Sequence, residues 1–257
     1  MFRSLNLLLS KFIEKTNISR WLFRFFTRIL PVPTTRVRGV PIKIIIPLHQ
    51  VGVYDQFKHW EQREPETLDW IDKFDKDCVL FDIGASFGNE TLYAALKANA
   101  PRKIICFDLD LLASFNLANN LQLNNIQKVE QYYIGIAKQS GFINAREPTN
   151  YACVLNRPKY DLIHYKTYSI ALDDFIAQVG ESPDYLKVDV DGIEVDILEG
   201  MPKTLADSRL KSILIEVGYQ TLPQVQQILT QAGFVQTYQS EQRGIVGSET
   251  YNLIFSR

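Results

Sequence analysis

Val79-Leu80-Phe81-Asp82-Ile83-Gly84-Ala85-Ser86-Phe87-Gly88-Asn89 is the stretch whose reading decides the fold. An apolar run reaches an acid at Asp82, turns through two glycines, and continues with Leu92, Ala95 and Leu96 at helical spacing. This order predicts a strand, a tight glycine turn and a helix start. Such a junction lets a ligand lie against bare backbone, with unpaired N–H groups pointing at its negative end. Asp82, at the predicted strand tip, supplies the opposite charge. A ligand carrying both an amino group and a carboxylate suits that mixture.

Outward from this junction, strand and helix patterns alternate. Strands are predicted at 79–83, 103–107, 129–137, 184–190, 212–217, 234–238 and 251–255, with helices at 111–123, 170–179, 193–199 and 223–232. A hairpin-like excursion without a strong period fills 141–167. Alternation of this kind implies an α/β fold with a doubly wound parallel sheet and right-handed crossovers. Turn and loop residues alone join the last two strands, which predicts an antiparallel pair at the sheet edge. Ahead of the main fold, 36–47 reads as strand material. Residues 54–75 read as helical with Pro65 early in the helix, and this region is placed to roof a site.

Four acids fall at the predicted C-terminal ends of strands: Asp82, Asp108, Asp189 and Glu216. Ligands in open α/β sheets bind outside those ends. Asp108 closes the second strand, where a carboxylate accepts both hydroxyl hydrogens of an adenosine ribose, and Asp110 is the alternative. The Gly84-x-x-x-Gly88 spacing differs from the G-x-G-x-x-G of dinucleotide sites and suits a ligand with no pyrophosphate at the turn. Asp189-Val190-Asp191-Gly192 invites a calcium-loop reading, which fails because Lys187 and Leu198 occupy positions one and twelve. What remains is an acidic turn of Asp189, Asp191 and Glu194 preceded by Lys187. It reads either as a proton-accepting site or as an ion pair at a strand end with an acid-favoured helix start. His49 and His59 form no metal-ligand spacing, and His164 is a lesser candidate base.

The segment D-I-G-A-S-F-G, residues 82–88, resembles the glycine-rich first motif of S-adenosylmethionine (SAM)-dependent methyltransferases. Lys187-Val188-Asp189-Val190-Asp191-Gly192-Ile193-Glu194 resembles the second signature of the FkbM-type enzymes, K-[IV]-D-[IV]-[ED]-G-x-E. The resemblance spans roughly residues 64–216. Family members commonly carry Asn at the position of Ser86 and Glu at that of Asp108. The resemblance implies a seven-stranded sheet, with SAM held by Asp82, Gly84, Ala85, Ser86, Gly88 and Asp108. It implies O-methylation of a hydroxyl on a saccharide or glycosylated metabolite. Asp189 is then the first candidate base and Glu216 the second, with Lys187 beside them, and a divalent cation between Asp189 and Glu216 stays open. The competing reading is a non-catalytic SAM-binding or scaffold protein docked at a membrane by its basic N-terminal arm. An NAD-dependent oxidoreductase is disfavoured by the glycine spacing, which is not that of a dinucleotide site.

Charge is unevenly spread along the 257 residues. Residues 1–43 hold nine Lys or Arg and one acid, Glu14, whereas the remainder holds 19 basic and 28 acidic residues. An acidic main domain argues against a nucleic-acid partner. The basic, amphipathic 1–30 segment reads as two helices that either pack on the domain or touch a membrane surface. Three cysteines (Cys78, Cys106 and Cys153) without C-x-x-C spacing read as reduced thiols, which fits a cytoplasmic protein. The organisation expected is an extension at 1–35, a strand/helix cap at 36–76 and a methyltransferase-like domain at 77–257.

Overall fold

The computed structural model describes residues 34–45, 58–148, 162–190, 192–243 and 249–257. The predicted helices of 1–30, Asp191 and Cys153 lie outside these residues.

Strand β3 (Val79–Ile83) is buried along its whole length, as a central strand with both faces covered must be. After a two-stranded hairpin, β1 (Thr34–Val37) and β2 (Val40–Lys43), and two short helices, α1 (Trp60–Arg63) and α2 (Pro65–Asp72), the chain enters β3. It continues through α3 (Asn89–Leu96), β4 (Lys103–Phe107), α4 (Leu111–Leu123), β5 (Val129–Tyr132) and β6 (Gly135–Ile136). Then come β7 (Gly141–Pro148), β8 (Leu162–Ile170), α5 (Leu172–Val179), β9 (Tyr185–Val188), α6 (Glu194–Glu199) and α7 (Pro202–Ala206). The chain closes with β10 (Ser212–Gly218), α8 (Leu222–Gln231), β11 (Val235–Gln239) and β12 (Thr250–Ser256).

The main sheet has seven strands in the order β11-β12-β10-β9-β3-β4-β5. The run from β10 to β5 is parallel, and β12 is antiparallel to both β10 and β11. Strand order therefore reverses between β3 and β9, and this opens a crevice at their carboxyl ends. The antiparallel pair predicted at the edge is present, with β12 inserted beside β10 and β11 outermost.

Alternation along the strands sorts the core into two layers. Val79, Phe81 and Ile83 face one side with Phe107, Phe175, Val188 and Ile197. Leu80, Ile104 and Leu214 face the other, against Leu92 of α3, Leu117 of α4, and Trp60, Leu68 and Ile71 of the cap. The cap and the sheet thus share one core. Arg38 at the β1–β2 turn ties the hairpin to α2 through Asp69 and Asp72, each at 2.6 Å.

Two elements differ from the sequence expectation. The helix predicted over 54–75 is two short helices broken at Glu64, because the residue before a proline is steered out of the helical region and Pro65 begins a new helix. The strand predicted over 129–137 ends at Tyr132, and β6 joins a separate three-stranded sheet ordered β6-β8-β7. The hairpin-like reading of the excursion agrees with its described residues, in which β7 and β8 pair antiparallel, Gly141 with Ser169 and Ala145 with Tyr165.

Candidate active site

The turn after β3 is closed by its own amides. Gly84 and Ala85 N–H both donate to the Phe107 carbonyl, at 2.9 and 3.1 Å, and Gly88 N–H donates to Ala85 O at 2.8 Å. Ser86 N–H donates to Asp108 Oδ2 at 2.6 Å. The amides expected to await a ligand are therefore consumed within the turn. Those left over are the first-turn amides of α3, which have no intrahelical acceptor, and Asn89 and Glu90 of that turn line the cleft. Gly84 is required sterically: φ is +79°, and a Cβ would lie 1.8 Å from the Asp189 carbonyl oxygen. The tip of β9 can close on the turn only because this residue has no side chain.

Asp108 organises the next wall. One carboxylate oxygen accepts from Ser86 and the other from Asp110 N–H at 2.6 Å. Asp110 caps α4 by accepting from Ala113 N–H at 2.8 Å. Tyr165 of β8 donates to the Leu109 carbonyl at 2.9 Å and so fastens the hairpin to this loop. Together these parts enclose a cleft of about 720 Å³, lined by Gly84, Ala85, Ser86, Asp108, Asp110, Gly135, Asn144 and Tyr165. Glu64, Glu90, Asp189 and Val190 line it as well. Of the other predicted residues, Asp82, Lys187, Glu216 and Gly88 are not on its surface.

Strand parity explains where the charged groups went. Asp82 is not the terminal residue of β3 but the one before it, in register with Lys187 of β9, and both face the layer under α3. Asp82 has no exposed surface and Lys187 only 2%. Lys187 Nζ donates to Asp189 Oδ2 at 2.8 Å and stands 3.7 Å from Asp82 Oδ1 and 3.8 Å from Glu90 Oε2. Asp82 Oδ2 accepts from Thr91 Oγ1 at 2.6 Å, while Oδ1 has only the lysine charge before it. Burial works against the ammonium, but Asp189, Glu90 and Asp82 more than offset it and hold Lys187 well above its ordinary pKa.

The carboxylates around this lysine are shifted as well. Burial pushes Glu90 up to about 8, with Lys187 opposing and Glu64, Asp82 and Asp189 adding to the shift. Burial raises Glu216 to about 7, reinforced by Asp189 and Glu64 and opposed by Lys187 and Arg243. Burial and then Asp189 raise Glu64. Glu194, read as part of an acidic turn, is a structural group that accepts from Gly192 N–H at 2.8 Å and Thr221 Oγ1 at 3.3 Å.

Glu64 and Glu90 were missed by sequence reasoning. Glu90 follows the glycine turn by two residues, and Glu64 directly precedes Pro65, but neither position announces a cleft. Among the described residues no group of three or more His, Cys, Asp or Glu is arranged to hold a metal ion. No helix among them is long and apolar enough to cross a membrane. Cys78 and Cys106 are buried free thiols.

The family model for the methyltransferase FkbM domain matches residues 82–240. The chain belongs to the FkbM methyltransferase family. It is accordingly a SAM-dependent methyltransferase. Among solved structures this methyltransferase is similar to a methyltransferase FkbM from Methylobacillus flagellatus KT, at 17% identity and a TM-score of 0.50. That likeness bears on the fold, covering 71% of this chain but 44% of the other, less than half its length. A ribosomal protein L11 methylase from Lactobacillus delbrueckii subsp. bulgaricus matches at 16% identity and a TM-score of 0.47, covering 76% of this chain and 78% of that one. M. capricolum TrmK in complex with its cofactor product S-adenosyl-homocysteine (SAH) matches at 9% identity and a TM-score of 0.43, covering 74% and 67%. No curated protein matches the sequence.

Proposed function

We propose that this methyltransferase methylates a hydroxyl of a saccharide or glycosylated metabolite. The observation that carries the reading is the division of the cleft into two ends. One is walled by the glycine turn and Asp108, and the other by Glu64, Glu90 and Asp189.

The first end fits SAM. Gly84 leaves the floor bare, the first-turn amides of α3 suit a carboxylate, and Asp108 keeps lone pairs to offer ribose hydroxyls. Asp82 is sealed beneath the floor, where Lys187 meets its charge, and does not line the cleft. Bound there, SAM supplies a methyl group already activated on a sulfonium.

The second end suits an uncharged acceptor rich in hydroxyls. Carboxyl groups accept hydrogen bonds from hydroxyls, and Glu90, which burial raises to about 8, also carries a proton to donate at neutral pH, so an uncharged polyol finds partners of both kinds. Asp189 presents its carboxylate there, fixed by Lys187, and orients the reacting oxygen. Glu216 stands on the neighbouring strand, where burial and the Asp189 charge raise its proton affinity.

Isothermal titration with SAH and with NAD tests the reading. We expect micromolar-range SAH binding and no heat with NAD, and the reverse overturns it. Asp108→Ala is expected to weaken SAH binding by about tenfold or more, the scale of one lost charge-assisted bond pair.

A further inference from the structure

Glu64 lies outside the family-matched residues 82–240, yet it forms part of the cleft wall. It stands at the elbow between α1 and α2, where Pro65 forbids helical continuation. The elbow is held on both sides. Glu64 N–H donates to the Trp60 carbonyl at 3.0 Å, Leu68 N–H donates to the Glu64 carbonyl at 3.4 Å, and Trp60 and Leu68 are core residues. The carboxylate is thus delivered to the cleft from a fixed position.

Its partners set it apart from the other carboxylates at this end. Asp189 has one oxygen committed to Lys187 at 2.8 Å, and Glu90 faces the same ammonium at 3.8 Å. Glu216 is off the cleft surface. Glu64 receives only a long 3.4 Å bond from Thr67 Oγ1, and among the described residues no cation stands within ion-pair distance of it.

We propose that Glu64 receives the proton of the acceptor hydroxyl, while Asp189 orients that hydroxyl. This inference rests on reading the cleft as a site of hydroxyl methylation. The acceptor oxygen gives its proton to Glu64 as it takes the methyl group, and the electron pair of the severed carbon–sulfur bond stays on sulfur. The proton on Glu64 then passes to solvent. Burial and the Asp189 charge raise its proton affinity, Glu66 adds to this, and Lys187 and Arg243 oppose it. Glu90 and Glu216 face the same group and are raised by its charge. A base is most effective when its proton affinity lies near the working pH, so this environment favours Glu64 over an exposed glutamate.

The test uses the full chain, labelled with carboxyl-13C glutamate, as wild type, Glu64→Gln and Asp189→Asn. One glutamate resonance, lost in Glu64→Gln, is expected to titrate above the ordinary carboxylate range and to move downward in Asp189→Asn. Titration in the ordinary range, or no response to Asp189→Asn, overturns the proposal without any acceptor being known. SAH binding is measured on the same samples. Failure of the wild type to bind SAH sinks the functional reading, whereas a tenfold loss confined to Glu64→Gln makes the residue a cofactor ligand and overturns the inference alone. With SAM and a panel of methyl glycosides, Glu64→Gln is expected to lower kcat about a hundredfold at unchanged KM for SAM, with partial recovery in Glu64→Asp. An unchanged kcat on a glycoside that the wild type methylates overturns the proposal.

Discussion

The two ends of the cleft are built on different principles. At the cofactor end the work falls to the backbone: Gly84 and Ala85 close on Phe107, Ser86 closes on Asp108, and the participating residues lie within one β-turn-α-β unit. At the acceptor end it falls to side chains: Asp82, Glu90 and Asp189 gather around the buried Lys187, and Glu64 reaches the cleft from the cap without an ion pair among the described residues. Backbone geometry tolerates almost no added atom but is indifferent to pH. A buried charge cluster tolerates shape changes better but depends on the balance of charge. The two ends come closest where Gly84 lies against the Asp189 carbonyl.

Breaking that contact is expected to have the largest effect. Gly84→Ala sets a methyl 1.8 Å from backbone and demands φ of +79° from a residue with a Cβ. We expect a loss of about 4 kcal/mol or more, or no folded protein. Gly192→Ala is the control, with φ of +88° but nothing within 4 Å of its Cβ, and is expected to cost about 1–2 kcal/mol. Urea denaturation reads both, and equal costs would show that the close approach at Gly84 is not what joins the ends.

Next comes Lys187→Met, which keeps all but the last atom of the side chain's length and removes its charge. Asp82, Glu90 and Asp189 lose their shared cation, and breaking a buried ion pair in this way costs about 3–5 kcal/mol. The loss should be greater at pH 8.5 than at pH 5.5, because Glu90, raised to about 8, is protonated at the lower pH and no longer needs the lysine. A pH-independent loss would mean that the acceptor end is held by packing rather than by charge.

The contrast also separates what could be read in the sequence from what could not. The glycine turn and the alternation of strands and helices were legible, because both are written in local spacing. Asp82 and Lys187 were visible as residues, but their burial follows from which face of each strand they occupy and from α3 lying over that face. Glu64 and Glu90 carry no local signal, since their role comes from meeting Lys187 and Asp189 across the fold. The excursion at 141–167 was legible as hairpin-like but its strands were not delimited, because Phe142, an apolar residue, points outward and is 83% exposed, which masks the alternation of its strand.

A smaller effect tests the charge cluster in the intact protein. Glu90 and Glu216 sit at about 8 and about 7 in the fold, above the ordinary 4.5. The folded state therefore binds these protons more tightly than the unfolded chain, and the stability they confer is present below about pH 4.5 and lost as pH rises through those values. Lys187, Glu64, Asp82 and Asp189 face Glu90, and Asp189, Glu64, Lys187 and Arg243 face Glu216. Tm should fall by on the order of a few degrees between pH 5 and pH 8.5, and Glu90→Gln should flatten the decline. An unchanged slope in Glu90→Gln would move the proton-binding group elsewhere.

The smallest expected change concerns the backbone end alone. Ser86 holds φ at +48°, a left-handed conformation in which asparagine is several-fold enriched and most other side chains are strained. Its fold-supporting bond runs from its own N–H to Asp108, so the side chain can change while that bond stays. Family members commonly carry Asn at this position, and the backbone angle supplies a reason that does not involve the ligand. Ser86→Asn is expected to gain a few tenths to about 1 kcal/mol and to leave SAH affinity unchanged. Ser86→Val, β-branched in the same conformation, is expected to lose about 1–2 kcal/mol. If Ser86→Asn instead weakened SAH binding without altering stability, the serine hydroxyl would be a ligand contact, and the cofactor end would depend on side chains as the acceptor end does.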